Sequence, residues 1–110
     1  MELAEEKQGA VTVLSPDGRV DSSNAKAFEE AVMARLATVE GPVLIDLAQL
    51  RYISSAGLRV ILLSAKQQQQ KGQRFALCEP SADIREVFEV SGFTKIIEIF
   101  QKRDQALAAL

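Results

Sequence analysis

The sequence predicts a single α/β domain over residues 1–110, a small mixed sheet of four to five strands with about four helices packed against it. Three observations predict it. Short apolar segments alternate with longer stretches of helical periodicity, the pattern of a layered sheet whose strands pair mostly in parallel after a first hairpin. The length is that of one domain, and apolar residues at 47% with charged residues at 25% are the balance of a globular chain. No internal repeat, linker or composition shift divides it.

Residues 2–7 and Val11–Leu14 are strand candidates. Ser15-Pro-Asp-Gly18 reads as a turn, because Pro presets its φ, Asp bonds local backbone and Gly accepts positive φ. Arg19–Asp21 resumes as extended chain. Ser22, Ser23 and Asn24 are all N-cap types, and from there to Ala37 the spacing of Phe28, Val32 and Leu36 is helical. Gly41-Pro42 stops that helix. Val43–Leu47, apolar except for Asp46, suits a central strand. Residues 48–54 connect it to a second helix over Ala56–Lys71, with Leu58, Ile61, Leu62 and Ala65 on the packed face, Val60 and Leu63 widening it, and Gln67–Gln70 as an exposed last turn. Gly72 is its C′ residue. Arg74–Cys78 is the next strand, with Cys78 a small buried apolar residue. Pro80-Ser81 starts a third helix that turns Ile84, Val87 and Phe88 inward and ends at Gly92. Lys95–Phe100 is the last strand, and Asp104 caps a terminal helix from Gln105 to Leu110.

Composition excludes several functions. The chain has no histidine and one cysteine, so Ser-His-Asp and Cys-His triads, His-based metal sites, thiolate zinc sites and internal disulfides are all ruled out. It has neither a Gly-x-x-x-x-Gly-Lys nor a Gly-x-Gly-x-x-Gly loop. No cofactor or metal is expected, and an enzyme would have to work with carboxylates, Lys, Ser or Tyr alone. A net charge of −2 without an Arg/Lys cluster argues against nucleic acid. No apolar run approaches the roughly 20 residues of a membrane span. The N-terminus has no basic start or apolar signal core, so a cytoplasmic protein is expected.

The residues that remain for function cluster at Tyr52-Ile-Ser-Ser-Ala-Gly-Leu58. Two adjacent hydroxyls, Ser54 and Ser55, stand where a strand gives way to a helix. Backbone N–H groups there lack partners and the helix dipole is positive, so a phosphate would meet free donors. The plainer alternative is an N-cap pair worth about 1 kcal/mol. The small residues Ala56 and Gly57 leave the hydroxyls uncovered and would let another backbone approach closely. Asp21 and Asp46 lie near strand ends, where α/β sheets tend to display functional groups. Each also has a structural alternative, the first turn of a helix for Asp21 and a hydrogen-bonded strand end for Asp46.

These segments resemble a known family. Val43–Leu63 is similar to the central signature of the STAS domain of bacterial anti-sigma-factor antagonists. Gly18–Ala25 resembles that family's Gly-x-hydrophobic-Asp segment, and Val87–Ile97 its closing helix and strand. Together they span roughly residues 8–110 in the right order and spacing. The resemblance implies a STAS-like fold and a binding switch rather than an enzyme. Such an antagonist binds an anti-sigma factor that is also a serine kinase of the GHKL type and so frees a sigma factor. The kinase phosphorylates one serine and the complex parts, and a metal-dependent serine phosphatase restores the antagonist.

Carried onto this chain, the phosphoacceptor is Ser55, in an Asp-Ser-Ser/Thr/Ala-Gly-Leu motif whose acidic position is here Ser54. The orienting carboxylate's role then falls to Asp21 or Asp46, and Ser54 becomes a second candidate acceptor. The expected partner-binding surface comprises Asp21, Ser22, Asn24, Asp46, Ser54, Ser55, Ala56, Gly57 and Arg59 on a chain that is monomeric when free. The alternatives are a non-phosphorylated STAS subunit of a scaffold or lipid-transport complex and, from another class, a small hydrolase or transferase.

Overall fold

The computed structural model describes all 110 residues and contains six strands and four helices. β1 (Glu2–Gln8) and β2 (Val11–Val20) form the antiparallel N-terminal hairpin. After helix α1 (Ala25–Thr38), strands β3 (Val43–Asp46) and β4 (Leu50–Ile53) lead into α2 (Ser55–Gln70). Then come β5 (Phe75–Cys78), α3 (Ala82–Val90), a 3-10 turn at Phe93–Lys95, β6 (Glu98–Phe100) and α4 (Arg103–Ala109). The sheet runs β1-β2-β3-β5-β6, with β4 on β2 beyond the end of β3, and every pairing except the first hairpin is parallel. This is the predicted α/β layer, and no helix is long and apolar enough to cross a membrane.

Alternation along β3 divides the core in two. Val43, Ile45 and Leu47 face the larger cluster with Phe28, Val32 and Leu36 of α1, Val60 and Ile61 of α2, and Ile84 and Phe88 of α3. Leu44 faces the smaller cluster on the other side with Val11, Val13, Ala76, Cys78 and Ala106, covered by α4. Cys78 is fully buried there, as expected, and burial pushes its thiol up to about 12.

Several elements depart from the sequence reading. The turn expected at Ser15–Gly18 is instead continuous strand. β2 stays paired with β1 as far as Asp17, while on its other edge it changes partner from β3 at Leu14 to β4 at Gly18. The amides of Thr12 and Gly18 both point to that edge, bonding Pro42 and Gln49. By alternation the missing N–H of Pro16 falls in the gap between the two partners, where it sacrifices no ladder bond. Gly18, with φ +106°, makes the bulge that realigns the strand. The supposed turn residues thus serve a change of partner. The connector at 48–54 contains β4, and the last strand is shorter than expected because Phe93–Lys95 coils first. α4 starts at Arg103, whose amide donates to Glu79 Oε2 at 2.7 Å, so Asp104 lies in the first turn and does not cap it.

α2 packs through Gly57, Val60, Ile61, Ser64 and Gln68, while Leu58, Leu62 and Ala65 are only half-buried. Val60 and Ile61 are buried as expected, but the centre of the stripe lies one step aside from Leu58, Leu62 and Ala65, because Ser64 and Gln68 lie on the buried face despite their polarity. Ser64 Oγ donates to Val60 O at 2.8 Å. Gln68, expected in solvent, is fully buried, and its Nε2 donates to Gly41 O and Arg74 O, both at 3.2 Å. Val87 of α3, also expected inside, is half-buried.

Candidate functional site

β2 and β4 run parallel with Val20 beside Ile53, and the Ser54 amide donates to Val20 O at 2.9 Å. The two strands therefore leave the sheet side by side at their C-terminal ends, one into the turn at Asp21 and the other into α2. That register brings Asp21 level with Ser54.

The two hydroxyls differ in what they do. Ser54 is the N-cap of α2, with extended backbone, and its Oγ accepts from the Gly57 amide at 3.3 Å. Ser55 is the first helical residue and is exposed, and its hydroxyl makes no hydrogen bond within the chain. The helix thus uses one serine as a cap and leaves the other free.

The turn before α1 is built on Asp21. Its Oδ1 accepts from the Ser23 amide at 2.9 Å and the Ser23 hydroxyl at 2.5 Å. The Ser23 hydroxyl, then its amide, hold the Asp21 carboxyl below its usual range. Asn24 stands at the N-cap of α1 without capping it. Its Oδ1 instead accepts from the Asp21 amide and its Nδ2 donates to Arg19 O at 2.8 Å, which clamps the entering chain. Ser22 is exposed beside it.

An open groove joins the starts of α1 and α2. Ser22, Ala25, Lys26, Glu29 and Glu30 line one side, and Ala56, Arg59 and Val60 the other. Lys26, Glu29 and Glu30 had no motif to mark them; placing the buried stripe of α1 on Ala25, Phe28, Val32 and Leu36 would have shown that they border it. At the strand ends Arg19 lies over the exposed Tyr52 ring, 4.4 Å from its centroid, a cation–π contact that no sequence spacing announces.

Two predicted site residues lie elsewhere. Asp46 shares its sheet face with Leu44, opposite α2. It is buried, with Oδ1 accepting from the Ala48 amide at 2.9 Å and Oδ2 3.7 Å from Arg103 Nε. Strand alternation therefore separates it from Ser55, and it cannot orient that hydroxyl. Gly57 is buried as well. A Cβ there would stand 2.7 Å from Ile53 Cγ1 and 2.8 Å from Val20 Cγ1. The glycine lets α2 sit tightly on β2 and β4 inside the domain, so its smallness serves internal packing and not the approach of another backbone.

The fold is shared with known proteins. The STAS domain profile matches residues 2–106. The chain belongs to the STAS domain family. A relative from Bordetella bronchiseptica, named as the anti-sigma factor antagonist BtrV, is 42% identical over 109 residues, which are 99% of this chain and 94% of the relative. A crystal structure from Thermotoga maritima, described as that of an anti-sigma factor antagonist, superposes with a TM-score of 0.91 at 22% identity, over 97% of this chain and 92% of the other. The phosphorylated form of the Bacillus cell fate determinant SpoIIAA has the same STAS fold, with a TM-score of 0.72 at 16% identity over 98% of both chains.

Proposed function

We propose that this STAS protein is an anti-sigma factor antagonist whose docking face centres on Ser55, and that phosphorylation of Ser55 switches it off. The observation that carries this reading is the division of labour between the two serines, with the Ser54 hydroxyl engaged as a cap and the Ser55 hydroxyl exposed and unbonded. Asp21, Ser22 and Asn24 of the turn before α1, with Ala56 and Arg59 of the first turns of α2, form the rest of the face. The name of the Bordetella relative supports the role.

The partner of this reading is an anti-sigma factor that is also a GHKL-type serine kinase, and a metal-dependent serine phosphatase reverses the modification. The protein acts in the cytoplasm as the kinase's substrate and not as an enzyme. Phosphoserine adds about −1.5 to −2 charge. At the helix start that charge is tolerated within the domain. Inside an interface it must be desolvated beside the partner. A penalty of about 3 kcal/mol weakens binding by roughly a hundredfold, enough for a switch.

The test is incubation with the kinase and ATP, followed by peptide mapping and binding measurements. One phosphate on Ser55 is expected. Ser55→Ala should bind and resist switching, and Ser55→Asp should bind poorly while staying folded. A phosphate found only on Ser54, or a Ser55→Asp variant that binds as tightly as wild type, overturns the reading. The second result would favour a STAS scaffold subunit that charge does not switch.

A further inference from the structure

Arg59 stands four residues after Ser55 on α2, one turn along and on the same side of the helix. Both residues are exposed. Arg35, Arg74, Arg85 and Arg103 each hold a carboxylate. The Arg59 guanidinium forms no ion pair or hydrogen bond. Lys26, Glu29 and Glu30 of α1 are the charged groups that share its groove, and neither glutamate is bonded to it. Asp21, across the turn, is already engaged by Ser23. Helical side chains lean toward the N-terminus, so a long residue at i+4 covers the turn that contains residue i. An anion followed by a cation at i+4 is the favourable order on a helix. A planar guanidinium fork also fits two phosphate oxygens.

We propose that Arg59 is the intramolecular clamp for a phosphate carried on Ser55. The proposal rests on the reading of Ser55 as phosphoacceptor and adds a second part to the switch. In the unmodified protein Arg59 is free to meet a carboxylate on the partner. Once Ser55 carries phosphate, the guanidinium turns back along α2 and is neutralised there. Modification then removes a cation from the docking face while adding an anion to it.

The test needs neither kinase nor partner. Phosphoserine is installed at position 55 by genetically encoded incorporation, in the wild-type background and with Arg59→Gln or Arg59→Lys. The second ionisation of the phosphate is followed by 31P NMR. Its midpoint, ordinarily about 6, should lie about 0.3 lower with Arg59 present than in Arg59→Gln. Arg59→Lys, which keeps the charge without the fork, should fall between the two. The difference should shrink in about 1 M salt, where the screening length falls to about 3 Å. Phosphorylation should also raise the melting temperature in wild type by more than in Arg59→Gln. Identical midpoints in the wild-type and Arg59→Gln phosphoproteins overturn the clamp and leave any kinase result standing. A kinase that never labels Ser55 overturns the functional reading and leaves this titration unaffected.

Discussion

The two ends of α2 look alike in sequence and are opposites in structure. One end opens with Ser54-Ser55 and the other closes with Gln67–Gln70, and both read as polar and solvent-facing. At the closing end the polar groups are part of the framework. Gln68 bridges Gly41 O and Arg74 O from a fully buried position, and Lys71 Nζ donates to Leu36 O at 2.7 Å and Val39 O at 2.6 Å, satisfying carbonyls where α1 ends. At the opening end one hydroxyl does similar work and its neighbour does none. Polarity in the sequence therefore says little about availability. What separates a functional candidate from a structural residue here is whether its hydrogen bonds are already made.

Substitutions along α2 test that contrast, and the largest effect belongs to the apolar middle of the helix. Ile61→Ala should cost about 2–5 kcal/mol in urea unfolding, because the residue is fully buried. Leu62→Ala, half-buried, should cost clearly less, and equal losses would refute the assigned face. At the opening end Gly57→Leu should lose about 3 kcal/mol through overpacking against Ile53 and Val20. A variant that keeps wild-type stability but loses partner binding would instead make Gly57 a docking residue.

Gln68→Ala should cost about 1–3 kcal/mol by removing a fully buried side chain and the hydrogen bond it makes to the part-buried Gly41 O, although the residue sits in a run of four glutamines. Gln69→Ala, on an exposed neighbour, should stay within about 0.5 kcal/mol and serves as the control. Ser54→Ala should cost about 1 kcal/mol by removing the cap. Ser55→Ala should change stability by less than about 0.5 kcal/mol, so that any effect it has appears in binding alone. If Ser55→Ala proved as destabilising as Ser54→Ala, both hydroxyls would be structural and the contrast would collapse.

The alternation of strands and helices was legible because each element declares itself locally. Phe28, Val32 and Leu36 mark the buried stripe of α1 by spacing alone, and Val43–Leu47 marks a central strand by its apolar run. The errors came where a local signal had two uses. Pro16 and Gly18 suit a turn, and they suit equally a strand that changes partners along one edge. Polar Ser64 and Gln68 hid the true packed face of α2, since a count of apolar residues cannot see a buried polar group held by bonds to backbone carbonyls, here from Ser64 Oγ and Gln68 Nε2.

The sequence by itself determined the layer architecture and the placing of two serines at a strand-to-helix boundary, because periodicity, turn chemistry and capping act over a few residues. Only the tertiary structure decided the make-up of the site. It set Asp21 beside Ser54 through the register of β2 and β4, sent Asp46 to the other face of the sheet to meet Arg103, turned Gly57 inward and left the Ser55 hydroxyl and Arg59 unpaired. The physical reason is that strand register, the pleat and the seating of a helix on a sheet are fixed by contacts between residues distant in the chain. A one-residue slip in strand register sends a side chain to the opposite face of the sheet, and a one-residue shift along a helix turns it by about 100°.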